Sequence, residues 1–128
     1  MNERQPTQSP TAMISTATVK LLHEYTGRGP VKAKTTISED LVTVVLADTL
    51  TKGERTLVAA GRSDRILELR RDYQLAMRDG LIEIVERQLE RKVVAFMSQN
   101  HIDPDLAVET FVLEPVEAEQ LSQGSGGN

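Results

Sequence analysis

The sequence predicts an α+β domain in the order α-β-β-α-α-β-β, with a four-stranded, mainly antiparallel sheet and a long central helix. Three observations carry this. An apolar helical repeat opens the chain, two pairs of short strand-like segments flank its middle, and one extended helical repeat lies between them. A length of 128 residues allows one domain, assigned to 9–115, between a flexible N-terminus at 1–8 and a flexible Gly/Ser/Gln-rich tail at 116–128.

Ser9-Pro10 reads as an N-cap with proline in the first helical turn, where a missing N–H costs nothing. Ile14, Ala17, Leu21 and Tyr25 then recur at helical spacing, and Gly27 suits the left-handed residue that ends such a helix, so the first helix covers about 10–26. Val31, Ala33, Thr35 and Ile37 alternate with Lys32, Lys34 and Thr36, giving a strand with one wet face. Ser38-Glu39-Asp40 makes a tight turn. "LVTVVLA" at 41–47 is apolar on both faces and belongs in the centre of the sheet.

Thr51 and Glu54 form a T-x-x-E capping box for a short helix running to about Ala60. Ser63 is placed to cap the long helix, marked by Ile66, Leu69, Tyr73, Met77, Leu81 and Ile84 and ending near Glu90. Gly80 lies beside that apolar stripe. Glycine costs about 1 kcal/mol in a helix interior, so another element is expected to approach closely there. "VVAFMS" at 93–98 and "LAVETFVL" at 106–113 complete the sheet, joined across the turn Asp103-Pro104-Asp105. One sheet face should carry the long helix. The other is too apolar to be left wet, so the N-terminal helix or a second subunit should cover it, and a homodimer is the favoured solution.

The composition excludes several classes. Cysteine is absent, which removes disulfides, thiol catalysis and Cys-ligated metal and fits a cytoplasmic protein. A net charge of −4 argues against general nucleic-acid binding, which draws on Lys and Arg. No apolar run approaches the ~20 residues of a membrane span, and the polar N-terminus lacks the apolar centre of a secretory signal, so direct membrane insertion is not expected.

Two arginine-bearing segments are the candidate binding sites. In "YTGRGP" at 25–30, Gly27 and Gly29 permit positive φ and Arg28 adds a charged fork, so converging main-chain N–H groups and the guanidinium can hold an anion. The bland reading is a helix C-cap and a stiff turn with an exposed Arg28, or one paired with Glu24 or Asp48. In "GRSDRILELRR" at 61–71, Arg62 and Arg65 stand at the positive end of a helix dipole, a locally unfavourable place for cations. With Arg70 and Arg71 they can face an acidic ligand or partner, against the reading of a merely solvated face. His101, Asp103 and Asp105 share one turn, but without a supporting cluster they make a hairpin turn rather than a metal site. His23 reads as solvated. No nucleophile elbow, zinc pattern or carboxylate pair supports an enzyme, and no cofactor is implied.

The segments "HEYTGRGPVKAKTTISEDLVTVVLADTLTKGERTLVAAGR" and "LRRDYQLAMRDGLIEIVERQLERKVVAFMSQNHIDPDLAVETFVLEP" resemble the MpsC-like family of small bacterial domains, over about residues 16–115. Gly27-Arg28-Gly29-Pro30 carries the resemblance most specifically. Leu50-Thr51 with Glu54, Arg70-Arg71, and Lys92-Val93-Val94 leading into His101 and Asp103 support it. The family takes its name from a proposed Na⁺-translocating membrane-potential-generating system, and such systems are linked to inorganic-carbon uptake. The resemblance therefore implies a soluble accessory or regulator of a membrane transport protein. The expected function is a homodimeric binding module that recognises an acidic partner segment or small anion through Gly27, Arg28, Gly29, Arg62, Arg65, Arg70 and Arg71. The alternative is a small enzyme acting on an anionic metabolite, with Arg28 binding it and His101 or His23 moving a proton.

Overall fold

A computed structural model describes residues 8–28 and 31–116. The expectations placed on the two ends of the chain fall almost wholly outside these residues, and so does Gly29. The elements are α1 (Pro10–Thr26), β1 (Lys32–Ser38), β2 (Leu41–Ala47), α2 (Lys52–Ala59), α3 (Ser63–Leu89), β3 (Val93–His101) and β4 (Leu106–Leu113). The order and the α+β class are those the sequence predicts. The four strands form one sheet in the order β1-β2-β4-β3, every neighbouring pair antiparallel.

The helix ends follow local chemistry. Ser9 Oγ accepts from Ala12 N at the start of α1, and Gly27, at φ 68°, closes it with its N–H on His23 O. Thr51 and Glu54 complete the capping box of α2 in both directions. At α3 the sequence reading is one residue off. Arg62 is the N-cap and Ser63 already lies in the helix, with no side-chain cap bond.

Alternation sends Val42, Val44 and Leu46 of β2 and Ala107, Phe111 and Leu113 of β4 to one face, where they meet Ile14 and Leu22 of α1 and Met77, Leu81 and Val85 of α3 in a single core. Both helices therefore cover the same face. Gly80 is where they touch, since a Cβ there would stand 3.0 Å from Leu21 Cδ2. In β3, an irregularity between Val93 and Ala95 shifts the pairing with β4, so that Val93 and Phe96 both face inward and Ala95 and Met97 outward. A strict alternation from Val93 puts Phe96 on the wrong face.

Of the two covers expected for the second sheet face, the N-terminal helix is ruled out. Ser15 Oγ lies 2.7 Å from Thr35 Oγ1 of β1, on the inner side, and no described element lies over the outer face. Leu41, Val45 and Met97 remain 41%, 36% and 54% exposed there.

Candidate functional site

Chain turns bring a charged network to the end of the sheet where α1 stops, β2 runs into α2, and the β3–β4 hairpin folds back. After Gly27 the left-handed turn sends Arg28 inward, and its carbonyl contacts His23 Nδ1 at 2.8 Å. Arg28 Nη2 donates to Glu54 Oε2 at 3.2 Å. Glu54 is the acidic half of the α2 capping box, and its Oε1 accepts from Thr51 N at 2.8 Å and from Arg70 Nη2 at 2.9 Å. Arg70 also donates to Thr49 O, Thr49 Oγ1 and Asn100 Oδ1, at 2.9, 2.8 and 3.0 Å. Thr49 Oγ1 donates in turn to Asp105 Oδ1 at 2.7 Å, while Leu50 N donates to Asp105 Oδ2 at 2.8 Å. Arg55 stands 3.8 Å from the same carboxylate.

Arg28, Thr49, Glu54 and Arg70 are all buried. Buried charge persists only where it is paired and hydrogen-bonded. Burial alone would push the Glu54 carboxyl up. The hydrogen bonds from Arg70 and Thr51, with the charges of Arg70 and Arg28, carry it below its ordinary value instead. Asp105 shows the same balance, burial being outweighed by the bonds from Leu50 and Thr49. Arg28 is shifted down, chiefly by burial and then by the Arg70 charge beside it. Two guanidiniums share the Glu54 carboxylate, and Asp105, bonded to the same Thr49 as Arg70, supplies a second negative charge.

A small cavity of about 20 Å³ adjoins the network, lined among others by Arg28, Arg70, Tyr73, Asn100 and Glu109. It accommodates one water-sized group. Among the described residues Arg28 Nε, Arg70 Nε and Glu109 Oε1 lack hydrogen-bond partners, and so does Ser98 Oγ next to Glu109. Burial pushes the Glu109 carboxyl up to about 7, and the neighbouring Ser98 hydroxyl opposes that shift. The cavity thus adjoins two arginines and a carboxyl that titrates near neutrality.

Of the arginine-bearing segments, Gly27, Arg28 and Arg70 come together here. Arg62, at the N-cap of α3, and Arg65 and Arg71, on its first half, are exposed and take no part in the network. Arg28, read from sequence as an exposed residue or a partner of Glu24 or Asp48, pairs with Glu54 because the αL turn at Gly27 aims it beneath α2. Neither histidine lines the cavity. His101 is exposed at the hairpin, its Nδ1 on Pro104 O at 2.8 Å. Among the described residues no cluster of His, Asp or Glu is placed to hold a metal ion.

Sequence reasoning missed Thr49, Asn100 and Glu109, and took Glu54 and Asp105 for local capping and turn residues. One signal was present. Arg70 falls in the apolar stripe of α3, between Ile66 and Tyr73, and a charge there requires a buried partner.

A family model described as "Na+-translocating membrane potential-generating system (MpsC)" matches residues 7–115. Neither a curated protein nor a solved structure gives a match. Three of the sequence segments that resembled this family, around Arg28, Thr51–Glu54 and Arg70, meet in the buried network.

Proposed function

The chain belongs to the MpsC family, and from that premise we propose that it is a small cytoplasmic binding and regulatory module, accessory to a membrane ion- or inorganic-carbon-transport system. It acts as a homodimer and recognises an acidic partner segment or a small anion. No described helix is long and apolar enough to cross a membrane, which fits an accessory rather than a translocating role.

The observation that carries this reading is the outer sheet face. Leu41, Val45 and Met97 lie exposed on it, beside the half-buried Val108 and Val112. Contiguous apolar surface on a small domain marks an interaction site. The arginines support recognition of anionic groups: Arg28 and Arg70 line the cavity, while Arg62, Arg65 and Arg71 are presented outward.

The test is affinity capture of the native protein from its own cells, with mass spectrometry of what is retained. A membrane ion-transport protein should be recovered with the wild type and lost with the outer-face variant Val45→Glu. Recovery of soluble metabolic enzymes alone, unaffected by Val45→Glu, would refute the accessory role.

A further inference from the structure

We propose that the free edge of β3, roofed by α3, is a docking groove for an extended acidic–apolar segment of a partner protein. The segment adds as a fifth strand, its carboxylates against Arg71 and Arg78 and an apolar side chain between Leu75 and Phe96. This rests on the reading of the protein as a module for an acidic partner segment, and gives that segment its place and pattern.

The two sheet edges are treated differently. Proteins guard exposed edges with charge, especially Lys, and with Pro, because unpaired N–H and C=O groups recruit other strands. Edge strand β1 carries exposed Lys32 and Lys34. Edge strand β3 runs nine residues, Val93–His101, with no Lys, Arg, Asp, Glu or Pro. Its one irregularity sits at the Val93/Ala95 end, so Ala95–His101 keeps an unbroken register with β4 and an unbroken free edge on the other side. The protected edge and the open edge belong to one sheet, so the difference is local to β3.

Above that edge lies an open groove of about 330 Å³ lined by Arg71, Gln74, Leu75, Arg78, Phe96 and Ser98. Leu75 is 74% exposed in the middle of a 27-residue helix, the most exposed large apolar side chain among the described residues. Helix α3 needs no leucine at that position for its own core contacts. Arg71 and Arg78 stand on either side of it, two turns apart, or about 10 Å along the axis. Side chains two to four residues apart on one face of a strand span about 7 to 13 Å. A segment of pattern Glu-x-apolar-x-Glu therefore sets both carboxylates within reach of the two arginines and its central side chain against Leu75. Arg78 at present pairs with its neighbour Asp79 at 3.2 Å. Both side chains are exposed, and such a pair is weak enough to exchange for a better-ordered one.

The same charges disfavour a second copy as the occupant. Across a two-fold axis a second β3 would offer only neutral side chains, and its own Arg71 and Arg78 would approach like charges. The basic roof selects an acidic strand.

The experiment is amide NMR on the full chain, titrated with the synthetic peptide Ser-Glu-Thr-Leu-Thr-Glu-Ser and with its counterpart carrying Lys for both Glu. The acidic peptide should shift the amides of Ala95–His101 and of α3 from Arg71 to Arg78, leaving β1 unmoved. The lysine peptide should shift neither. Arg71→Glu with Arg78→Glu should weaken binding roughly tenfold or more, and Leu75→Ser should weaken it without altering spectral dispersion, since all three side chains are exposed. Equal binding of both peptides, or no response at β3, overturns the groove. Acidic-peptide shifts confined to Arg62 and Arg65 overturn it while leaving the acidic-segment reading intact. Concentration-dependent shifts without peptide that join Arg71–Arg78 of α3 to β3 make a second copy the groove's occupant and also overturn it.

Discussion

Arg70 ties three elements together. It is 4% exposed, and its Nη atoms bond to Thr49 in the link between β2 and α2, to Glu54 within α2 and to Asn100 of β3. Arg70→Met should therefore cost about 3–5 kcal/mol, the range for removing one partner of a buried charge network, as read from urea unfolding. Arg28→Ala should cost less, about 1–3 kcal/mol, because Arg70 still neutralises Glu54. Gly27→Val should cost about 1–2 kcal/mol from its left-handed φ of 68° alone, since a Cβ there meets nothing within 4 Å. An exposed Arg28 would make Arg28→Ala nearly neutral and so separable from Gly27→Val; burial of the guanidinium removes that contrast. Glu109 supplies a pH test. Its folded-state value of about 7 lies above the ordinary 4.5, so between those values the unfolded chain ionises first and stability falls as pH rises. By pH 8 the loss should reach on the order of 3 kcal/mol. Melting of Glu109→Gln at pH 5 and pH 8 should show a smaller drop than wild type, and an equal drop in both proteins would count against it. Glu54 and Asp105 act in the opposite direction. Their lowered values contribute stability above the ordinary carboxylate range that is lost as pH falls through their folded values.

Among the elements, α2 and the α1–α3 contact depend on single features. Helix α2 buries only Glu54, so its placement comes from the ion network and from the capping box rather than from an apolar stripe. Thr51→Ala should remove the cap at a cost of about 1 kcal/mol, seen as faster amide exchange across Lys52–Ala59. The crossing of α1 and α3 is set at Gly80. Valine there would press on the Leu21 side chain and force it to shift, costing about 1–3 kcal/mol by overpacking. Thermal melts of Gly80→Val and Gly80→Val with Leu21→Ala give the check: the second change should recover part of the loss, and failure to recover would place the strain elsewhere.

At the scale of the whole molecule, two helices and one sheet make two layers with a single core between them, and the outer sheet face has nothing described upon it. A second copy laid on that face would turn two layers into four and bury Leu41, Val45 and Met97. Light scattering at micromolar concentration should then return about twice the chain mass of 14.2 kDa. Val45→Glu should return the chain mass while still melting cooperatively, because Val45 lies outside the core. A wild-type monomer would leave the face to a different protein.

The sequence by itself determined the elements and their order. Helical and two-residue apolar periods, the Ser9-Pro10 start, the Gly27 stop and the Thr51/Glu54 box are local, and local signals are decided by neighbours along the chain. It also determined that Gly80 needed a close neighbour, though not that the neighbour would be Leu21. Tertiary structure decided the rest. Whether α1 joined α3 or took the opposite face could not be read from an apolar stripe that fits either one. The inward turn of Phe96 depended on one irregular residue pair in β3. Arg28 and Glu54 are distant in the chain, as are Thr49 and Asp105, and each carries a different local reading on its own. Only folding makes them one network, because the long-range partner, and not the neighbouring residue, is what makes a buried charge tolerable.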